Sequence, residues 1–235
     1  MFQDCRIVRV PPVCRSAFVS GRSRCDLATV GGVSLPSAAD VLKVQLRYGW
    51  LTARRVLDDI TTDEYHWEPA PSCWSVRRRG PSVRGWGSGE FVCEDAWPPP
   101  EPLPTTTIAW RVVHLAAWTD IYRQFAFGDT RPDLNDLEVP GDLSAGLAWL
   151  YRSQDDFIDA VDGLTDESVF DPRPAHWGES VPVVSLVTTM LTEHVHHIAE
   201  IGVLRDLRRG YAVSQPPPPA LSVPSWWSGR RSTDA

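Results

Sequence analysis

Glu193 and His197 are a carboxylate and an imidazole four residues apart, and neighbours at that spacing on a helix can converge on one point. They interrupt a stripe of Leu186, Met190, Glu193, His197, Ile201 and Leu204, whose steps of 4, 3, 4, 4 and 3 keep every member on one helical face. Two ionisable groups turned into a helical interior cost several kcal/mol unless they are paired, neutralised or bound to metal. His114 breaks a second apolar stripe, Trp110, His114, Ala117, Ile121 and Phe125, in the same way. If the two helices are neighbours, two imidazoles and one carboxylate meet. That set suits Zn²⁺, Ni²⁺ or Fe²⁺, and three protein ligands leave positions open, as catalytic metal sites do.

Two other arrangements fit the same residues. Glu193 and His197 could form a hydrogen bond within their own helix while His114 is a satisfied core histidine. His196 with Glu200 also has the i, i+4 spacing and would turn the site by about a fifth of a turn. His194 and His196 fall about 80° to either side of the stripe, which predicts flank or surface positions for both. Glu200 stays near the core face, where it can orient a ligand.

Other residues with chemical potential carry weaker patterns. Cys5, Cys14, Cys25, Cys73 and Cys93 are odd in number and show no C-x-x-C pair, so they read as free thiols. Arg77, Arg78 and Arg79 could receive an anionic group or be a solvated loop run. The segment GWGSGE, residues 85–90, lacks the Gly-Lys-Ser/Thr ending of a phosphate loop. Trp74, Trp110 and Trp118 are the size and shape for a pocket mouth or for core packing.

Four helices are needed to position these groups. The first starts at Ser37, a suitable N-cap, and runs to about Ile60; the second runs from the Thr105–Thr107 cluster to about Phe127, before Gly128. The third spans about Leu143 to Val161 and is stopped by Gly163. The fourth runs from about Pro182 to Arg209, with arginines at its negative end and Gly210 beyond. Residues 61–104, rich in Pro, Gly, Trp and Ser, predict a long ordered crossover loop. The expected class is all-α: a four-helix bundle over residues 34–210 with that crossover between helices one and two.

Residues 1–33 are basic and aperiodic and read as an unstructured arm or as translated upstream sequence; residues 211–235, with Pro216–Pro219, read as a disordered tail. Lys43 is the single lysine beside many arginines, a codon bias of high-GC bacterial genomes. A net charge of -7 argues against a nucleic-acid partner. No run of about 18 apolar residues suggests a membrane span, so a cytoplasmic protein is expected. Val187, Leu191, Val195 and Ile198 lie off the metal stripe of the fourth helix and predict a homodimer or larger symmetric assembly, unless the crossover loop covers that face.

EHVHHIAEIGVLRDL (193–207) resembles the last helix of the DinB-like metalloenzyme families, and TIAWRVVHLAAW (107–118) resembles their second. TTDEYHWEPAPSCWSVRRRG (61–80) is similar to the turn and loop after their first helix. The resemblance implies metal ligands at His114, Glu193 and His197; a glutamate at the first position of the helix-four pair is similar to the mycothiol-dependent maleylpyruvate isomerase branch. It further implies a small-molecule substrate with a thiol such as mycothiol, used in transfer or isomerisation. Metal-dependent hydrolysis and a non-catalytic metal- or ligand-binding stress-response module are the rival readings. A di-iron carboxylate site needs two Glu-x-x-His motifs, and the chain has one Glu-x-x-x-His pair. No catalytic acid or base is assigned from the sequence.

Overall fold

In the computed structural model the described residues are 29–30, 33–34 and 36–210, so the expected tail and nearly all of the expected N-terminal arm lie outside them. Two units are distinguished, divided after Pro36. Of the first, the described part is a minimal antiparallel pair, β1 (Thr29–Val30) with β2 (Val33–Ser34).

The second unit opens with α1 (Ala38–Leu57). Ser37 Oγ accepts from the Asp40 backbone N–H while the Asp40 carboxylate accepts from that of Ser37, a reciprocal cap that satisfies two orphan donors. Its buried face is Ala39, Leu42, Leu46, Trp50, Ala53 and Leu57. A short helix, α2 (Thr62–His66), follows, capped reciprocally by Thr61 and Glu64. Then come β3 (Val76–Arg78), β4 (Gly85–Trp86) and β5 (Phe91–Glu94), an antiparallel sheet in the order β3-β5-β4. The remaining elements are α3 (Ile108–Phe127), α4 (Leu143–Asp162), the hairpin β6 (Pro172–Pro174) with β7 (Ser180–Pro182), and α5 (Val183–Arg209). The chain is therefore mostly helical, and the all-α expectation is corrected: the crossover holds a fifth helix and a sheet, and a hairpin precedes α5. Short strands flanked by Pro and Gly have too little periodicity to announce themselves in a sequence.

The four long helices pack side by side, and their contacts fix their directions. Trp50 Nε1 donates to Asp155 at 3.3 Å and Arg54 lies over Tyr151, so α1 and α4 are antiparallel. Arg111 meets Glu200 and Thr119 meets His194, so α3 and α5 are antiparallel. Gly146 lies beside Val112 and Phe127 against Phe157, so α3 and α4 run the same way. Gly49 lies beside Leu191 and Gly202 beside Val56, so α1 and α5 do too. The order is up, down, down, up, with α1 and α3 on one diagonal and α4 and α5 on the other.

The crossover covers the outer side of α3. Trp74 exchanges backbone hydrogen bonds with Thr105 and Thr107, and Ser75 Oγ pairs with Thr107 Oγ1 at 2.9 Å. Residues Ile108–Ala117 are consequently buried all round, where the sequence predicted one buried stripe. At the other end Glu64, 4 % exposed, is gripped by Arg205 and Arg209 of α5. Of the residues behind the dimer expectation, Val187 and Ile198 are buried within the chain, Leu191 is partly buried and Val195 is exposed.

One glycine inside a helix is required by close approach. A Cβ on Gly146 of α4 would stand 2.2 Å from Tyr65 Oη, and Tyr65 is fully buried with nowhere to move. Helix propensity alone would favour alanine there by about 1 kcal/mol, whereas overpacking a close-packed core costs about 1–3 kcal/mol. Gly146→Ala is therefore expected to lower stability, and urea denaturation showing a gain would contradict the packing described.

Candidate metal centre

α3 and α5 bring His114, Glu193 and His197 together, with one ligand atom of each within 4.8 Å of the others. His197 Nε2 is 3.3 Å from Glu193 Oε2, and His114 Nε2 is 3.9 Å from the same oxygen, too far for a hydrogen bond. His114 Nε2 is buried and has no hydrogen-bond partner among the described residues. A buried ring nitrogen aimed at a carboxylate it does not reach is costly as it stands, and the cost vanishes if a cation sits between them. The donor set thus fits a divalent metal bound by two imidazoles and a carboxylate.

The groups are also in the protonation states that ligation needs. Burial lowers the His114 pKa from the usual 6.5 to about 4, leaving the ring neutral near pH 7. Burial lowers that of His197 as well. Burial would raise Glu193, but the imidazoles of His114 and His197 that face its carboxylate outweigh this and lower the carboxyl to about 2.

Neighbouring residues hold the ligands in place. Trp110 stacks on the His114 ring at 4.4 Å between centroids, and its Nε1 donates to the Glu94 carbonyl of β5 at 2.7 Å. Trp74 stacks in turn against Trp110, so the segment that leads into β3 reaches the ligand through two indoles. His197 Nδ1 is 2.9 Å from Glu200 Oε2, and Glu200 is in turn bound by Arg111. A carboxylate accepting from the distal N–H of a ligating histidine fixes its tautomer, the part Glu200 would play toward His197 with an ion bound. Arg111 is the residue the sequence reading missed. The available signal was a lone arginine one helical turn before His114 in an otherwise apolar segment.

The flanking histidines divide. His196 is exposed, 3.3 Å from Glu200 Oε1. His194 corrects the expectation: it is buried, with Nε2 2.9 Å from Thr119 Oγ1 and its ring edge-on to Trp50. The α5 surface facing α1 and α3 is wider than one stripe, so a residue well off its centre is still interior. Burial drives the His194 pKa to about 3. A histidine with a depressed folded pKa stabilises fully above the unfolded value, and that stabilisation is lost as pH falls toward the folded one. The metal-free protein is expected to lose stability from about pH 6.5 down to about pH 4, through His114 and His194 together. Thermal melts of His194→Gln over that range should show a shallower decline; an unchanged slope would remove His194 from the account.

The remaining candidates have structural duties. Arg77 bonds Glu68 and Glu94, Arg78 pairs with Glu90, and Arg79 donates to the carbonyls of Gly87 and Gly89. Gly87 has φ +123°, a turn conformation that explains the glycine-rich segment without a phosphate. Cys73 and Cys93 are free and buried, and burial pushes both thiols up, away from nucleophilic readiness. Trp110 and Trp118 flank the His114 ring, while Trp74 packs against Trp110. Among the described residues no helix is long and apolar enough to cross a membrane.

A family profile described as the DinB superfamily matches residues 45–201. A crystal structure of a DinB-like protein from Bacillus cereus ATCC 10987 is similar over 77% of this chain and 98% of that one, with a TM-score of 0.52 and 14% identity, a likeness of fold. Another, of a DinB-like protein from Bacillus subtilis, covers 74% of this chain and 94% of its own at TM-score 0.44 and 13% identity. No curated protein matches the chain.

Proposed function

Since the chain belongs to the DinB superfamily, we propose that its helices form a metal-binding four-helix bundle over residues 34–210, holding one divalent ion, Zn²⁺, Ni²⁺ or Fe²⁺, between His114, Glu193 and His197. The ion serves a cytoplasmic enzyme acting on a small molecule with a thiol such as mycothiol, in transfer or isomerisation. The observation that carries the reading is the buried, unpartnered His114 Nε2 aimed at Glu193 and His197. An ion with open positions supplies a Lewis acid that lowers the pKa of a bound thiol or water. The protein's own residues do the rest. Glu193 and the two neutral imidazoles offer lone pairs, Glu200 holds the His197 tautomer, and Trp110 keeps the His114 plane fixed. The hydrophobic surround of α3 excludes water behind the ligands.

A second reading, metal binding without turnover, is favoured by Glu200. The carboxylate beside the triad is engaged by Arg111 and His197 rather than free to carry a proton. Elemental analysis of the purified full chain tests the metal, with one equivalent expected. A mycothiol-transfer assay and an ester-hydrolysis assay on the loaded protein then separate the readings. Absence of any tight divalent-metal binding would end all of them.

A further inference from the structure

His197 is shared by two possible ligand groups that use opposite ring nitrogens. On the Nε2 side are Glu193 and His114; on the Nδ1 side are Glu200 and His196, also close enough together to hold an ion. A neutral imidazole has one lone pair and one N–H, so the ring can serve only one group at a time. Spacing along the helix does not choose between them, since Glu193–His197 and His196–Glu200 are both i, i+4 pairs.

A side chain from the facing helix does choose. Arg111 Nη1 contacts Glu200 Oε2 and stands 2.9 Å from His197 Nδ1, so it already engages two of the three side chains that the second group would need. The arginine is one-tenth exposed and anchored in the most enclosed part of α3, so it has little room to withdraw. A guanidinium stays charged at any physiological pH and offers donors only. His197 Nδ1 thus faces a donor, Arg111 Nη1, and an acceptor, Glu200 Oε2, so in either tautomer no lone pair is left for an ion on that side of the ring.

We propose that Arg111 is a built-in cation that closes the His196–His197–Glu200 group to metal, confining the chain to one divalent ion on the Nε2 side of His197. The inference rests on the metal reading above and goes beyond it, because it assigns the choice of site to a residue that touches no metal. It makes Arg111 a positioning residue whose removal adds a binding event instead of merely weakening one.

The test is a Zn²⁺ titration of the metal-free full chain by calorimetry, with stoichiometry as the readout. Wild type and Arg111→Lys, which keeps the charge, are expected to bind one ion per chain. Arg111→Met is expected to bind two, and Arg111→Met with His196→Ala is expected to return to one. A single ion in Arg111→Met overturns the proposal, as does a second ion that survives His196→Ala. Should Arg111→Met lose its cooperative melt, His196→Ala in the wild-type background decides: unchanged affinity supports a closed second group, and a tenfold or larger loss overturns it. No binding by wild type would instead refute the metal reading itself.

Discussion

Alanine at His114, Glu193 or His197 is expected to weaken divalent-metal binding by more than ~100-fold in each case, beyond the ~10–100-fold typical of groups that only orient a ligand. Three protein donors are the fewest that hold an ion tightly with positions left open, so deleting one leaves a two-point site. Glu200→Gln should fall within the smaller range, since it leaves all three donors in place and loosens one tautomer. His194→Ala breaks the bond to Thr119 and opens a cavity beside Trp50, so it should lower the melting temperature while the ion remains. Competition against a chromophoric chelator measures the series. Binding by His114→Ala within tenfold of wild type would show that the α3 histidine is no ligand.

The second large effect is expected far from the metal. Glu64 of α2 is almost fully buried, and its carboxylate receives Arg205 and Arg209 from the last turns of α5, with Thr61 supplying a backbone N–H. Removing one partner of a buried ion pair leaves uncompensated charge in the interior, at a cost of about 3–5 kcal/mol. Glu64→Ala strands Arg205, which is buried too. Urea denaturation should show that loss, and a change under about 1 kcal/mol would mean that water reaches the arginines freely. Burial alone would raise the Glu64 pKa, but the Thr61 N–H and the arginines hold it below the usual 4.5. Its contribution is thus present above about pH 4.5 and lost as pH falls through the folded value.

Sequence periodicity placed the four long helices to within a few residues, because the apolar repeat and the caps Ser37, Thr107 and Gly163 are local signals. Local spacing also put Glu193 and His197 on one face, and His114 stood out as an interruption of an apolar stripe. What spacing could not supply was the set of neighbours. Whether His194 is interior depends on α1 and α3 flanking α5, and the duty of Arg111 depends on α3 facing Glu200. The β3-β5-β4 sheet was illegible for another reason: its strands are two to four residues long, held by pairing and by docking on α3.

The up, down, down, up arrangement carries a cost in time. Helices α1 and α3 lie diagonal to one another, as do α4 and α5, so of the successive long helices only α3 and α4 are direct neighbours. Most of the interior joins parts of the chain that must first find each other across long intervening segments, and such non-local closure slows folding relative to hairpin-connected bundles. His114 and the Glu193–His197 pair come from α3 and α5, which are separated along the chain by α4 and the β6–β7 hairpin. An ion needing all three would be captured late, on an already assembled core. It would act as a latch on the finished protein, leaving the refolding rate nearly unchanged while slowing unfolding.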